Sequence, residues 1–263
     1  EETAYLLDLL HRRPEPIVVT GAMRNPTLAG ADGPANVLAA IQVATSPHAR
    51  NQGCLVVFTD EIHAARWVSK THSTSGATFR SLDTGPLGYA VEGRVHLHTT
   101  VPFRMTIPPR RDHPAVRTRV GLYTTTLDDD PALLSAAAAH LDGLVIAGFG
   151  AGHVPEPLVP ALADLVTRIP VVLASRTPAG PTLTQTYGFA GSETDLLARG
   201  LIPAGWLHPY KARILLRALL TVGAPRPVVT AAVTAAGGLT GPDSWPWPTP
   251  QTPTTTTTGA LNA

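Results

Sequence analysis

The sequence predicts an α/β protein with two domains, each a mostly parallel sheet flanked by helices. Two short apolar, β-branched runs, Ile17–Thr20 and Gly53–Thr59, are typical of buried parallel strands. The Ala-, Leu- and Val-rich segment Pro34–Ala44 lies between them and predicts a crossover helix. A second alternation of strand-like and helix-like segments begins at residue 116. With 263 residues and 44% hydrophobic content, the chain is long enough to build both cores.

In the first domain, the spacing of apolar residues over Thr3–Arg12 predicts a helix ahead of the strand–helix–strand unit. The polar segment 21–32 comes after the first strand and leads into a helix whose first turn is Asp32-Gly33-Pro34. Such a turn lies at the carboxyl end of a strand, where open α/β sheets place their ligands. Because this strand comes so early in the chain, we expect the N-terminal domain to be incomplete.

The second half is separated from the first by a stretch rich in proline and arginine. Proline stiffens an extended segment and lacks the N–H that a central strand needs, so residues 102–115 are predicted to form a linker. The predicted domains are therefore 1–101 and 116–236, with a disordered Thr/Pro-rich tail over 237–263. The predicted strands of this half are Val116–Thr125, Gly143–Gly148 and Pro170–Ser175. One helix is predicted directly after Asp130-Pro131, and two others are predicted over Pro157–Ile169 and Pro209–Leu220.

Overall charge and composition exclude some classes of partner. The net charge of +1 gives no reason to expect nucleic acid or an anionic membrane. No window approaches the ~18 consecutive apolar residues of a membrane span. No signal segment occurs in the sequence, which leaves the compartment open, with the cytoplasm as the default expectation.

Lys70 is the first candidate for chemistry. The chain has eighteen arginines and only two lysines, and Lys70 stands among small hydroxyl residues in WVSKTHSTS. Lysine, unlike arginine, can be brought towards neutrality by burial. The alternative is a solvated loop lysine with no role in catalysis.

Five segments, in this order, resemble the bacterial L-asparaginase/glutaminase family. They are IVVTGAMRNPTLAGADGPANVLAA, VSKTHSTSGATFRS, GPLGY, GFGAGH and PYKARILL. The resemblance implies a threonine nucleophile that attacks the substrate's side-chain amide, assisted by a triad of threonine, aspartate and lysine. It also implies L-asparagine or L-glutamine as substrate, no cofactor, no metal, and a homo-oligomer, either a dimer or a tetramer.

The resemblance assigns roles to particular residues. Lys70 falls on the triad lysine, and Ala22 on the residue whose backbone carbonyl touches the substrate amide, with Met23 shaping the same turn. His153 falls on a loop near the site, where it serves either the substrate or the loop's own structure.

The family also binds the substrate α-amino group with a glutamate from a neighbouring subunit. The local sequence here, TLTQTYGFAGSETDLLARG, offers Glu193 for that role, with Asp195 as the competitor. The spacing Ser192-x-x-Asp195 is equally typical of a helix N-terminus, which needs no ligand to explain it.

Two motifs of the family have no counterpart in these residues. They are T-G-G-T-I, which carries the nucleophile, and H-G-T-D-T, which carries the triad threonine and aspartate. Glu1-Glu2-Thr3 resembles the E-E-T that comes directly after H-G-T-D-T in the family. We therefore expect an N-terminally truncated asparaginase that is inactive alone. The alternative is a non-catalytic asparaginase-like binding or scaffold domain.

Overall fold

The computed structural model describes residues 1–109 and 117–248. The N-terminal part contains two helices and seven strands, with a 3-10 turn at Pro47–Ala49. In chain order these are α1 (Glu2–Leu10), β1 (Ile17–Val19), α2 (Gly33–Thr45), β2 (Cys54–Phe58), β3 (Glu61–Ala64), β4 (Ser69–Lys70), β5 (Phe79–Arg80), β6 (Gly88–Val91) and β7 (Arg94–Leu97).

The first sheet has the order β1-β2-β3-β6-β7, with α2 packed on one face and α1 on the other. Only β1 and β2 are parallel, and the other three pairs are antiparallel. The α/β class is confirmed, but this sheet is mixed rather than mostly parallel. The reason is local: Thr59-Asp60 and Glu92-Gly93 adopt positive φ angles and form tight turns, so no crossover helix separates the strands they join.

The C-terminal part is the parallel α/β unit that the alternation predicted. Its elements are β8 (Val120–Thr124), α3 (Pro131–Ala138), β9 (Gly143–Gly148), α4 (Val159–Arg168), β10 (Val171–Ser175), α5 (Glu193–Ala198), β11 (Ile202–Pro203), α6 (Pro209–Thr221) and α7 (Arg226–Ala236). The sheet order is β11-β10-β9-β8, with parallel pairing throughout. The Asp130 side chain accepts the Ala132 N–H at 2.8 Å and caps α3, as the Asp-Pro pair indicates.

Both faces of this sheet are buried. Leu144 and Ile146 of β9 lie in a core with α3 and α4, whereas Val145 points to a second core with α6 and α7. Because side chains alternate along a strand, continuous apolar sequence means that helices cover both faces.

Helix α1 connects the two parts. Its Ala4 packs against the first sheet, whereas Tyr5 and Leu9 belong to the α6–α7 core of the second. A backbone hydrogen bond from the Ile107 amide to the Leu9 carbonyl (2.8 Å) attaches the segment after the first sheet to the same helix.

Two stretches predicted to lie outside the cores contribute to them. Met105 and Ile107, within the predicted linker, are 5% and 0% exposed; residues 110–115 of that linker lie outside the described residues. In the predicted tail, the described residues 237–248 are not disordered: Trp245 is buried and its indole N–H donates to the Thr106 carbonyl at 3.2 Å. The rest of that tail is outside the described part.

Candidate active site

A cavity of about 450 Å³ lies between the two parts of the molecule, with Lys70 in its wall. The C-terminal part contributes Thr124 and Ala147, at the carboxyl ends of β8 and β9, and Arg176, which comes directly after β10. The carboxyl edge of a parallel sheet is where α/β proteins bind small molecules. Lys70 therefore faces the edge of the sheet at which a ligand is expected.

Lys70 ends the two-residue strand β4 and its side chain is exposed. It pairs with Phe79 of β5, and its backbone N–H donates to the Glu1 carboxylate at 3.0 Å. Glu1 lines the same cavity. The position of the lysine therefore depends on contacts with distant parts of the chain.

The β4–β5 hairpin packs on the end of β2. The Phe58 and Phe79 rings lie 4.8 Å apart between centroids. The Thr59 hydroxyl donates to the Gly76 carbonyl at 2.9 Å. These two contacts attach the Lys70 hairpin to the carboxyl end of the first sheet.

Arg176 supplies a second cation to the cavity wall. Its Nη1 donates to the Thr125 carbonyl at 2.8 Å, and its guanidinium lies 4.1 Å from the centroid of the Phe149 ring. Its backbone N–H donates to the Gly148 carbonyl, also at 2.8 Å. These contacts hold the guanidinium close to the carboxyl ends of β9 and β10.

The loop that carries Ala22 and Met23 is organised by Asp32. The Asp32 carboxylate accepts the Met23 N–H (2.9 and 3.0 Å) and the Arg24 N–H (2.9 Å). Hydrogen bonds from the Met23 and Arg24 amides hold the pKa of Asp32 below its usual range. Asp32 thus orders the turn as a charged group.

Asn36 joins this loop to the turn after β2. Its Nδ2 donates to the Gly21 carbonyl (3.0 Å), and its Oδ1 accepts the Thr59 N–H (2.9 Å). The Ala22 loop and the Lys70 hairpin are therefore both attached to the turn at Thr59. Neither Ala22 nor Met23 lines the Lys70 cavity.

His153 and Glu193 meet in the C-terminal part. Their side chains form a 3.0 Å hydrogen bond, and the other Glu193 oxygen accepts the Thr186 and Tyr187 N–H groups at 2.9 and 2.8 Å. Glu193 is 0% exposed. Burial raises its pKa, but the Tyr187 and Thr186 amides outweigh burial and leave the pKa below the ordinary value. The carboxylate thus anchors the loop that precedes α5.

Asp195 makes the contacts of a helix N-terminus. Its carboxylate accepts the Gly191 N–H at 2.9 Å and pairs with Arg199 at 2.9 Å. The Ser192 hydroxyl accepts the Asp195 N–H at 3.4 Å. These contacts account for the Ser192-x-x-Asp195 spacing without a ligand.

Groups of three or more His, Cys, Asp or Glu residues that could hold a metal ion are absent from the described part of the chain. The helices within 1–109 and 117–248 are also too short or too polar to cross a membrane. The cavity instead offers a set of charged and hydroxyl groups between two sheets.

Two family models match this chain. The N-terminal asparaginase model covers residues 1–103, and the C-terminal glutaminase/asparaginase domain model covers residues 119–232. Among curated proteins, "Probable L-asparaginase" from Deinococcus radiodurans is 39% identical over 86% of this chain and 69% of its own length. The chain belongs to the asparaginase family.

Other asparaginases show the same relationship. "L-asparaginase 2" of Escherichia coli is 37% identical over 84% of this chain and 63% of its own length. The crystal structure of "Probable Cytoplasmic L-asparaginase" from Campylobacter jejuni matches with a TM-score of 0.79 and 32% identity, over 88% of this chain and 73% of that one. The chain thus spans about two thirds of the length of these asparaginases.

The predicted site residues fall into three places in this asparaginase fold. Lys70 lies in the interdomain cavity, Ala22 and Met23 occupy the neighbouring loop, and His153 and Glu193 form a pair in the C-terminal part. The substrate-binding roles of the last four stay predictions.

Three residues of this region were not predicted from the sequence: Arg176 in the cavity wall, and Asp32 and Asn36, which order the loop. For Arg176 a signal was present, since it comes directly after the buried strand run VVLAS.

Proposed function

We propose that this chain supplies one part of the active site of an amidohydrolase that converts L-asparagine to L-aspartate and ammonia. The observation that carries the proposal is the place of Lys70. This lysine lies in a cavity at the carboxyl edge of a parallel sheet, within a chain whose relatives are named L-asparaginases.

The charges around the cavity suit an amino acid. Lys70 and Arg176 are cations that attract a carboxylate, and Glu1 is an anion that attracts an ammonium group. L-glutamine carries the same charged groups on a side chain longer by one methylene, so we propose it as a second substrate.

In the proposed reaction a threonine hydroxyl attacks the side-chain amide carbon. The C–N bond breaks, the nitrogen leaves with a proton as ammonia, and water then hydrolyses the acyl-enzyme. Lys70 serves proton transfer at the threonine or the attacking water. Since neither T-G-G-T-I nor H-G-T-D-T occurs in these 263 residues, we propose that this chain alone releases no ammonia.

The absence of those two motifs from the sequence is also an argument for a second candidate function. This is a non-catalytic domain that binds the amino acid and does not cleave it. The two proposals differ in whether adding the two missing motifs gives a protein that hydrolyses L-asparagine.

We also propose that the protein is a homo-oligomer. Helix α2 exposes Val37, Leu38 and Ile41, which are 49%, 58% and 56% exposed. A contiguous apolar helix face in water is typical of a protein–protein contact, and a second copy of this chain would cover it.

The deciding experiment measures ammonia release from L-asparagine by two proteins. One is the 263-residue chain, and the other carries in addition the segment of the Deinococcus relative that precedes the matched region. We expect no activity from the first and measurable activity from the second. Lys70→Met should remove that activity, whereas Arg94→Met, which removes an exposed cation on β7, should leave it.

Hydrolysis by the fused protein that persists in Lys70→Met would contradict the role of Lys70. A fused protein that folds and binds L-asparagine without hydrolysing it would support the non-catalytic domain instead.

A further inference from the structure

Lys211, the only other lysine of the chain, is among the most deeply buried charged residues of the described part. It is 1% exposed, and its Nζ donates to the Val68 carbonyl at 2.6 Å. Val68 lies 143 residues earlier in the sequence, in the N-terminal part. A buried ammonium group is costly unless it is paired, so this contact needs an explanation.

The place of Lys211 in its helix makes the burial more costly. Lys211 is the third residue of α6, in the first turn. The N-terminus of a helix carries partial positive charge, and a cation there is unfavourable. Helix stability therefore does not account for Lys211, whereas the contact with Val68 gives it a role outside its own helix.

The Val68 carbonyl lies immediately before the site. It belongs to the peptide bond between Val68 and Ser69, and the next peptide bond along the chain supplies the Lys70 N–H. That N–H donates to Glu1 at 3.0 Å. Two successive peptide groups are thus held by side chains from outside their hairpin, one by Lys211 and one by Glu1.

Strand β4 is only two residues long, and its ladder contacts are with β5 alone. So short a hairpin is marginal by itself in water. Its orientation against the C-terminal sheet must come from contacts such as these.

We propose that Lys211 is a positioning residue for Lys70: its ammonium group, buried between the domains, holds the Val68 carbonyl and so sets the place of Lys70 in the cavity. The proposal rests on the proposed function only in giving Lys70 a part in catalysis. The mechanical coupling of the two lysines stands independently of it.

The charged groups around Lys211 have opposing effects on its pKa. Glu1 and Asp8, at the start and on the body of α1, favour its charged form, whereas Arg66 opposes it. His208 and His63 also lie within electrostatic reach. Burial is the largest influence and lowers the pKa of Lys211 to about 7. The hydrogen bond to Val68 is therefore charge-assisted below pH 7 and weakens above it.

The scarcity of lysine makes a direct test possible. Labelling with ¹⁵N,¹³C-lysine gives signals from two residues only, and Lys70→Arg identifies them. We expect the backbone amide signal of Lys70 to shift with an inflection near pH 7, at the same midpoint as the side-chain Cε signal of Lys211. The pH titration itself uses the unmodified chain, and Lys70→Arg serves only to assign the two sets of signals.

Variants of Lys211 show whether the pH-dependent shift of the Lys70 amide comes from the Lys211 charge or from another titratable group. In Lys211→Met, the Lys70 amide should lose the inflection and be displaced from its wild-type position at pH 6. Lys211→Arg keeps a cation that does not titrate, so it should restore the pH 6 position without any inflection.

An inflection that persists in Lys211→Met would assign it to another group, such as His208, and overturn the proposal. An unchanged Lys70 amide at pH 6 in that variant would do the same. Because no arm of this test uses ammonia release, failure of the coupling is distinct from failure of the amidohydrolase assignment.

Discussion

The two sheets differ in how completely they are buried. In the C-terminal sheet, every residue of β9 and β10 is buried, with helices on both faces. In the N-terminal sheet, β2 is fully buried, but β1 is half-buried and β7 alternates between exposed and half-buried positions. The C-terminal sheet is thus buried along both of its central strands, β9 and β10, whereas the N-terminal sheet is buried along β2 and most of β3.

This difference separates two ways of building a site. Arg176 directly follows the fully buried strand β10, and Thr124 ends β8, which pairs along its length with the fully buried strand β9. The backbone positions of both residues are therefore set by a packed sheet. Lys70 stands on a two-residue strand whose hairpin is attached to the first sheet by Phe79 and Gly76. Polar contacts from Glu1 and, through Val68, from Lys211 hold the strand in addition. Substitutions should therefore act on global stability in the C-terminal part and on local order in the N-terminal part.

The largest effect is expected from Ile146→Ala in β9. Ile146 is 0% exposed and its removal leaves a cavity between the sheet and α4, at a cost of about 4 kcal/mol in the free energy of unfolding. Urea unfolding monitored by tryptophan fluorescence measures this, since Trp206, Trp245 and Trp247 belong to the C-terminal part.

The matched control is Ile41→Ala on α2, at a position 56% exposed. At a protein concentration low enough to dissociate the proposed homo-oligomer, it should change the free energy of unfolding by less than about 0.5 kcal/mol. A larger loss that depends on protein concentration would show that another copy covers this face. Equal losses at both positions, at all concentrations, would contradict the contrast between the sheets.

A smaller effect, about 3 kcal/mol, is expected from Glu193→Ala. The change leaves the Thr186 and Tyr187 N–H groups and the His153 side chain without their acceptor. Glu193→Gln keeps one acceptor oxygen and should cost less, and Glu156→Ala, at an exposed position, serves as control. Urea midpoints of the three variants test this order.

The same carboxylate predicts an acid dependence. The pKa of Glu193 is lower in the folded chain than its ordinary value, so its stabilisation is present above the ordinary pKa. It is lost as the pH falls through the lowered, folded-state pKa. Glu193→Gln should remove this part of the acid destabilisation, and an identical acid profile in the variant would count against the buried pair.

The fold was predictable where local sequence and packing agree. The strand Gly143–Gly148 and the capped start of α3 were predicted from apolar runs and an Asp-Pro pair, because burial on both faces needs continuous apolar sequence. The mixed first sheet was not, since its hairpins depend on non-glycine residues at positive φ, such as Thr59 and Asp60. Asp60 and Gly93 are residue types that favour turns, but neither turn carries the Asn-Gly or Asp-Gly pair typical of a two-residue hairpin.

The site was predictable only in part for a similar reason. Resemblance pointed to Lys70, but the contacts that place it span 69 and 143 residues and arise from no local pattern. The segment around Trp245 was wrongly predicted for the same reason. Its Pro- and Thr-rich composition predicted disorder, whereas the Trp245 indole is buried and donates a hydrogen bond to the distant Thr106 carbonyl.

The smallest and most local effect is expected from Asp32→Asn. The change replaces one of the two carboxylate oxygens that hold the Met23 and Arg24 N–H groups by an amide NH₂. Amide hydrogen exchange at Met23 and Arg24 should accelerate several-fold, while the urea midpoint of the whole chain stays near that of the wild type. Thr27→Ala, which removes an exposed hydroxyl from the same loop, should leave both amides unchanged. A shift of the global midpoint with no local acceleration would mean that the loop is held by packing instead, and that the N-terminal part shares the cooperativity of the C-terminal sheet.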